Sequence, residues 1–512
     1  MSDQEHAVRQ VRGSSVLLIG RVISLCVNLL LQLLLVRYFT KEVFGAFAFA
    51  WATVEFGVFL VTIGLNKSLA RYIPEYQEAG DRPRMRRMVL ATMGVIFGTG
   101  CLAVAATYVA GGWMLEQGWL DPLSLRLLQI LILLVPLDAV GFLFQDLFVA
   151  FEDITAVFVR RYVVAPGLRL AGVISVMVLG GDAEWMAVGY VAGGAIGLLL
   201  YLWLFRKLWR TKMQGNSTTD QSTQGFAVLL RYGIAVLFSQ LGTVFRMTAV
   251  IYLLKIMCDS SEVGDYRAVL PFARLNLMVV DSFTLAFVPA ATRLLMRREE
   301  HLIGRLVDTC VTWVTVLSFP IFLASFAFSM SLSTYALGAN YADTWPIMSV
   351  LAVGFLAESM LGFAPFVLRA HAKLRPVLYA DWAALLVNIV LALVLTPKWG
   401  ALGAAISVAA SSVVAAAAVM MAARRVNPTA CRWLTIARLF GATAAIAGAV
   451  ALLMWTWPIP LAAQVLIAIV AVLIFLQCFR QRLVVDDVFP ELRKYPFVSW
   501  FIPRSSQPVP EN

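Results

Sequence analysis

The sequence predicts an all-α polytopic membrane protein. The expected architecture is 14 transmembrane helices: two pseudo-symmetric six-helix lobes around a central cavity, then two C-terminal helices, with both termini cytoplasmic. Three observations carry this. The chain is 61% hydrophobic and only 14% charged, with a mean hydropathy of +0.82; soluble chains carry about 25% charged residues. Its apolar runs are long enough to cross a bilayer, which takes roughly 20 residues. The runs also repeat: EVFGAF (Glu42–Phe47) is answered by EVGDY (Glu262–Tyr266), and AVGYVAG (Ala187–Gly193) by ALGAAIS (Ala401–Ser407), at separations of 220 and 214 residues.

The elements follow in order. A cytoplasmic segment, 1–13, precedes the hairpin Ser14–Val36 and Val43–Leu65. Met88–Ala110, Leu123–Ala150, Ile154–Leu179 and Trp185–Phe205 complete a first lobe, 14–206. A polar linker, 207–225, marks the midpoint. The second lobe, 226–423, holds Phe226–Lys255, Val263–Thr292, Ile303–Met330, Thr344–Leu368, Pro376–Leu395 and Trp399–Ala423. The last two helices, Trp433–Trp457 and Pro458–Phe479, fill 424–479, and a cytoplasmic tail covers 480–512. With the N-terminus inside, 31 of the 41 Lys and Arg residues lie on cytoplasmic segments or at the cytoplasmic ends of spans, six on outside loops or outer ends, and four, Arg21, Arg169, Arg246 and Arg274, deep in the membrane. That asymmetry obeys the positive-inside rule. A six-span repeat keeps its orientation, so the halves are related by an axis along the membrane normal, with a substrate path between them.

Composition also excludes classes. The net charge of +11 is spread between apolar runs, which speaks for topology and not for nucleic acid. None of the six cysteines forms CxxC, so no metal site or disulfide framework is expected. The first run is too long for the core of a cleaved signal. No GxxxxGK[ST] loop is present, so ATP work is not expected on this chain.

The informative residues are charges inside the spans. An ionised side chain at mid-bilayer costs roughly 2.5–3.5 kcal/mol on the insertion scale, and it usually faces a bundle interior or wet cavity. At 3.6 residues per turn, Arg21, Ser24, Asn28 and Gln32 share one face of the first span. Trp51, Glu55, Thr62 and Asn66 share one face of the second, and Ser239, Thr243 and Arg246 one face of the seventh. Arg267, Arg274 and Asp281 line the eighth. Four such stripes are most simply placed on one cationic cavity. Arg169 follows Pro166 in span five; it either lines that cavity or pairs with an acid, Asp138 or Asp146. The hydroxyl and amide residues fit helix packing equally well, at about 0.6 kcal/mol each. The substrate-binding candidates are therefore Arg21, Asn28, Arg246, Arg274 and Arg169, and the coupling or gating candidates are Glu55, Asp138 and Asp281.

RYFTKEVFGAF, GLNKSLARYIPEY, SSEVGDY and WGALGAAIS, in this order and spacing, resemble the polysaccharide-exporting flippases of the multidrug/oligosaccharidyl-lipid/polysaccharide superfamily. The resemblance covers about residues 11–479. It implies fourteen helices and translocation of an undecaprenyl-pyrophosphate-linked oligosaccharide across the bacterial inner membrane. It also implies cavity arginines, for which Arg21, Arg246 and Arg274 are the nearest counterparts. The chain departs from the peptidoglycan-precursor branch on helix two, where Glu55 stands and no mid-helix arginine occurs. The expected partners are the lipid-linked substrate, membrane lipids and other polysaccharide-assembly proteins, with no nucleic acid and no cofactor, on a monomer. Two rivals stand beside this reading. An ion-coupled drug or metabolite exporter would usually need twelve spans and a less cationic cavity. A polysaccharide polymerase or ligase would need chemistry on a large outside loop; here the outside loops are short, and His6, His301 and His371 sit on predicted cytoplasmic segments.

Overall fold

The computed structural model describes residues 3–151, 158–213, 225–428, 433–457 and 459–479. Among them every regular element is helical. Eleven helices are long and apolar enough to cross a membrane, and twelve if the bent pair Ser260–Thr284 and Phe287–Met296 is one span. The side chain of Arg21, the linker positions 214–224 and the tail 480–512 lie outside the described residues.

The chain divides into two compact units, Met1–Asp265 and Tyr266–Asn512. The first contains α1 (Asp3–Tyr38), α2 (Lys41–Val61), α3 (Leu65–Glu78), α4 (Arg82–Glu116), α5 (Pro122–Leu131) and α6 (Leu134–Ala150). A π-helical turn, Val159–Val164, leads into α7 (Ala165–Val178), followed by α8 (Ala183–Leu208) and α9 (Phe226–Met257). The last helix to enter this unit, α10 (Ser260–Met296), is cut by the division after Asp265. The sequence-based midpoint was the linker 207–225; in the structure α9 packs beyond it, against α2 and α3 of the first unit.

Local chemistry sets these elements. Thr40 caps α2, accepting from the Val43 amide at 3.4 Å. Asp81 and Asp121 cap α4 and α5 through the amides of Arg84 and Ser124, and Asp182 caps α8. The run expected as one span, 123–150, is of bilayer length as Pro122–Ala150, and because Pro136 has no N–H to give the Ile132 carbonyl it is interrupted into α5 and α6. GLNKSLARYIPEY, expected as a link, is the amphipathic helix α3, which buries Leu65, Leu69, Ile73 and Tyr76. α2 is the central element here. It packs on α5, α6 and α9, burying Phe44, Phe47, Ala50, Val54 and Val58.

The second unit holds α11 (Ile303–Phe326), α12 (Trp345–Met360), α13 (Ala364–Ala370), α14 (Arg375–Val426), α15 (Trp433–Thr456) and α16 (Leu461–Phe479). α14 is two legs joined at Gly400, whose φ of 53° and ψ of −131° interrupt the helix near the split expected at Pro397. Its legs cross-bond through the buried Asn388 amide, which donates to Ser411 Oγ at 3.3 Å and Ser407 Oγ at 3.5 Å. The core of this unit is aromatic. Phe319 stacks on Phe475 at 3.9 Å between α11 and α16, and Phe287 meets Phe363 at 5.1 Å.

Candidate functional site

The first unit carries charge within its membrane-spanning helices. α6 places Asp138 two residues beyond Pro136, and α7 places Arg169 three residues beyond Pro166. Arg169 Nη2 lies 3.9 Å from Asp138 Oδ2. Its guanidinium also lies over the Trp51 ring, 4.9 Å from the centroid. A guanidinium over indole is a cation–π contact that strengthens as water is excluded. Trp51 spends its own N–H on Glu55 Oε1, at 3.0 Å, and meets the Tyr190 ring edge-on at 5.2 Å. Glu55 and Asp138 are near enough to act on each other electrostatically.

A second arginine joins this group. Arg160 falls near the start of the expected span Ile154–Leu179 and is not among the sequence candidates. In the structure it sits in the π turn, with its guanidinium 5.0 Å above the Tyr201 ring and within the field of Asp138. Its Nε donates to the Gly197 carbonyl at 3.5 Å. Gly197 makes the room, since a Cβ there would stand 2.7 Å from Arg160 Nη2. At about 100° per residue, Arg160 and Arg169 would face opposite sides of an unbroken α-helix. The intervening π turn changes that register. Only the pair RR, five residues before Pro166, hints at this in the sequence.

The alternative acid is already occupied. Asp146, 7% exposed, accepts from Asn66 Nδ2 at 2.7 Å and pairs with Lys67 Nζ at 2.9 Å. Asp138 is thus the partner of Arg169, and Asp146 ties α6 to α3.

The other candidates are distributed. Arg246 is buried on α9, 2% exposed, one residue from Phe245, whose ring meets Phe56 of α2 at 5.5 Å. Asn28 is exposed on α1 and donates to Ser24 Oγ at 3.2 Å, as their shared stripe requires. Arg274 and Asp281 are exposed on α10 in the second unit. Of the candidates, Glu55, Asp138 and Arg169 are brought together.

α9 and the first turns of α10 are fastened to α2, α3 and the start of α5 at the two ends of α9. At the Lys41 end, a Cβ on Gly45 would stand 1.7 Å from the Ser260 carbonyl oxygen, and one on Gly264 2.4 Å from that of Lys41. Lys41 pairs with Asp265 at 2.8 Å. Lys255 donates to Asp121 and to Ser260 Oγ. Burial pushes the Asp121 carboxyl up, but the Lys255 bond and two from Ser124 outweigh it and hold the group at about 2. At the opposite end, Gly64 turns the chain at φ 64°, and a Cβ there would meet the Gly233 carbonyl oxygen at 2.3 Å. Ser68 Oγ donates to the Leu229 carbonyl at 2.8 Å, and Arg71 covers the Tyr232 ring at 4.7 Å.

Helices of bilayer length with charged groups among them define a multi-pass membrane fold, and solved structures share that fold. The lipid II flippase MurJ, in an inward closed conformation, superposes with a TM-score of 0.69 at 13% identity, over 93% of this chain and 99% of that one. An inward-facing multidrug resistance MATE family transporter of the MOP superfamily gives 0.64 at 14%, over 82% and 96%. A MOP superfamily transporter from Pyrococcus furiosus, described as having a binding pocket of reverse polarity, gives 0.56 at 16%, over 82% and 95%. No curated protein matches the chain. The family model described as "Polysaccharide biosynthesis protein" matches residues 10–295, and the chain belongs to that family.

Proposed function

We propose that this protein is a flippase that moves an undecaprenyl-pyrophosphate-linked oligosaccharide repeat unit from the cytoplasmic to the periplasmic leaflet of the bacterial inner membrane. The movement serves O-antigen, capsule or exopolysaccharide biosynthesis, and the mechanism is alternating access between the two six-helix lobes. The observation that carries the reading is two guanidinium groups among the helices of the first unit, Arg169 beside Asp138 and Arg160 on the Tyr201 ring. Guanidinium groups recognise oxyanions by bidentate, charge-assisted bonds, as a diphosphate-linked cargo requires. Arg21, Asn28, Arg246 and Arg274 are further substrate contacts, and Glu55, Asp138 and Asp281 serve coupling or gating. The interior-negative potential favours exit of an anion by about 2.3 kcal/mol per charge per 100 mV.

Fourteen spans with both termini inside are supported by counting the two legs of α14 and the apolar part of α1, Val22–Tyr38, with the twelve. An ion-coupled multidrug exporter is the second reading, favoured by the likeness to the MATE fold. The family match and the arginine pair favour the first.

Deletion of the protein tests it. Lipid-linked glycan is expected to accumulate on the cytoplasmic leaflet, protected from periplasmic glycosidase in spheroplasts. Glycan found already on the outer leaflet would overturn the reading in favour of a polymerase or ligase.

A further inference from the structure

We propose that the Lys41 end is a clasp closed by two reciprocal charge pairs, and that its release lets α9 and the start of α10 swing away from α2 and α5. The proposal rests on the alternating-access reading, and it names the contact that must break for the outward-open state. The expected topology puts this end at the periplasmic face.

Four charges straddle one seam. Lys41 opens α2 and pairs with Asp265 of α10. Asp121 caps α5 and accepts from Lys255 of α9. Each side of the seam thus gives one cation and one anion. Ser260 Oγ accepts from Lys255 and donates to the same Asp121 carboxylate at 3.1 Å. Lys41 and Asp121 belong to the first expected six-helix lobe, and Lys255, Ser260 and Asp265 to the second, although all five lie in the first compact unit. The burial is intermediate. The Lys41 and Asp265 side chains are 23% and 16% exposed, and those of Lys255 and Asp121 4% and 40%. A fully exposed pair holds little, and a fully buried one is costly to part. Pairs at the rim lie between: they hold the seam closed, and water takes over their charges when it opens.

The rest of the α2–α9 interface suits a swing about the far end. Phe49 meets Tyr252 at 5.8 Å, and Phe56 meets Tyr252 and Phe245 at 6.3 and 5.5 Å. Ring contacts of this kind are non-directional apart from the Tyr252–Thr53 hydrogen bond, so they part without stranding buried polar groups. The Lys255 ammonium lies 5.9 Å from the Phe49 centroid and covers the ladder at the clasp. At the Gly64 end backbone crosses backbone: a Cβ on Gly64 or on Gly233 would stand 2.3 or 2.7 Å from a carbonyl oxygen of the other strand of chain. The Ser68 hydroxyl ties that crossing to the Leu229 carbonyl. A close crossing held by an uncharged bond is a pivot, and hinges of this kind sit at element ends.

The test is thiol labelling of the full-length protein in spheroplasts, without its six native cysteines, by a membrane-impermeant methanethiosulfonate. The reporter is Phe49→Cys, at a position 5% exposed beneath Lys255. Lys41→Asp and Lys255→Met are expected to speed labelling at least about fivefold, the lower end of ordinary coupling between sites. Adding Asp265→Lys to Lys41→Asp restores the pair with its charges exchanged and is expected to return labelling to the parent rate; a general folding defect is not cured by a second reversal. A second reporter, Ser68→Cys, at a fully buried position by the pivot, is read in inside-out vesicles and is expected to keep its parent rate in the same variants. Unchanged labelling of the first reporter, no recovery in the exchanged pair, or an equal rise at both reporters would overturn the clasp. Labelling needs no cargo, so failure of the flippase reading leaves it standing, whereas failure of the clasp leaves glycan accumulation in the deletion strain as expected.

Discussion

The two units answer the same solvent problem in opposite ways. The first keeps ionisable side chains among its helices: Asp138 with Arg169, Asp146 with Lys67, and Arg246 at 2% exposure. The second buries mostly hydroxyls, amides and stacked phenyl rings, with Glu358 of α12 as an enclosed carboxyl among them. Asn388, Ser407 and Ser411 cross-bond the legs of α14, and Thr315 and Ser325 return their hydrogen bonds to their own helices. Its candidate charges, Arg274 and Asp281, are exposed on α10. A buried ion pair is poor economy for stability, because desolvation offsets the attraction. A self-bonded hydroxyl costs little. The difference therefore separates a unit that keeps charged groups among its helices from one whose interior is mostly packing.

The strongest way to break this contrast is to make the first unit like the second. Arg169→Met should abolish surface polymer, a loss of at least about 100-fold if roughly 3 kcal/mol of charge-assisted contact disappears. Membrane abundance should stay near wild type. Wild-type export in this variant would mean that the charged interior is only structural.

The next effect is steric. Gly45→Val places a Cβ against backbone, 1.7 Å from the Ser260 oxygen, whereas a Cβ on Gly448 of the second unit meets nothing within 4 Å. Gly45→Val should lower the melting temperature in detergent by several degrees and suppress export, and Gly448→Ala should do neither. Equal tolerance at both positions would remove the special status of the Lys41 end.

A smaller effect is set by pH. The Asp121 carboxyl sits at about 2 when folded, against 3.8 for the free group. A depressed acid contributes stability that is complete above the unfolded value and is lost as pH falls through the folded one. Thermal stability should therefore be flat down to pH 4 and decline between 4 and 2. The side chain is 40% exposed, so screening limits the loss to about 1 kcal/mol. Asp121→Asn should remove that part of the decline; an unchanged acid limb would place the titrating group elsewhere.

The least effect is expected at Asn388. Its Oδ1 is enclosed without a donor among the described residues. Asn388→Leu should change stability by less than about 1 kcal/mol and leave export intact, because the serines it bonds have their own carbonyl acceptors. Loss of export would extend the chemistry into the second unit.

Much of this was legible in the sequence, for identifiable reasons. Apolar runs of bilayer length mark most of the helices, and the charges within them pointed to Arg169, Asp138 and Glu55. The choice between Asp138 and Asp146 was not legible. It depends on α3, whose periodicity of Leu65, Leu69, Ile73 and Tyr76 lies within a stretch polar enough to pass for a link. Arg160 was hidden for a different reason. A basic pair beside an apolar run satisfies the positive-inside rule as well as it satisfies a buried site, and a π turn has no sequence pattern of its own. The break at Pro136 was announced by the proline, but its effect, helices capped on either side of Leu133, depends on hydrogen bonds that only the folded chain reveals.

The contact at the Lys41 end has a consequence for how the chain can change. Gly45 and Gly264 belong to the two copies of the EV motif, and each lies against the backbone that begins the other's helix. When two identical subunits pair about a two-fold axis, a patch near that axis meets its own copy, and one substitution is felt twice. Such a patch tolerates only residues that fit both sides at once, and glycine is the simplest solution. A contact of this kind inside one polypeptide carries the same constraint: at Gly45 and at Gly264 any side chain would press on the backbone that begins the other helix, so the two positions can change only together.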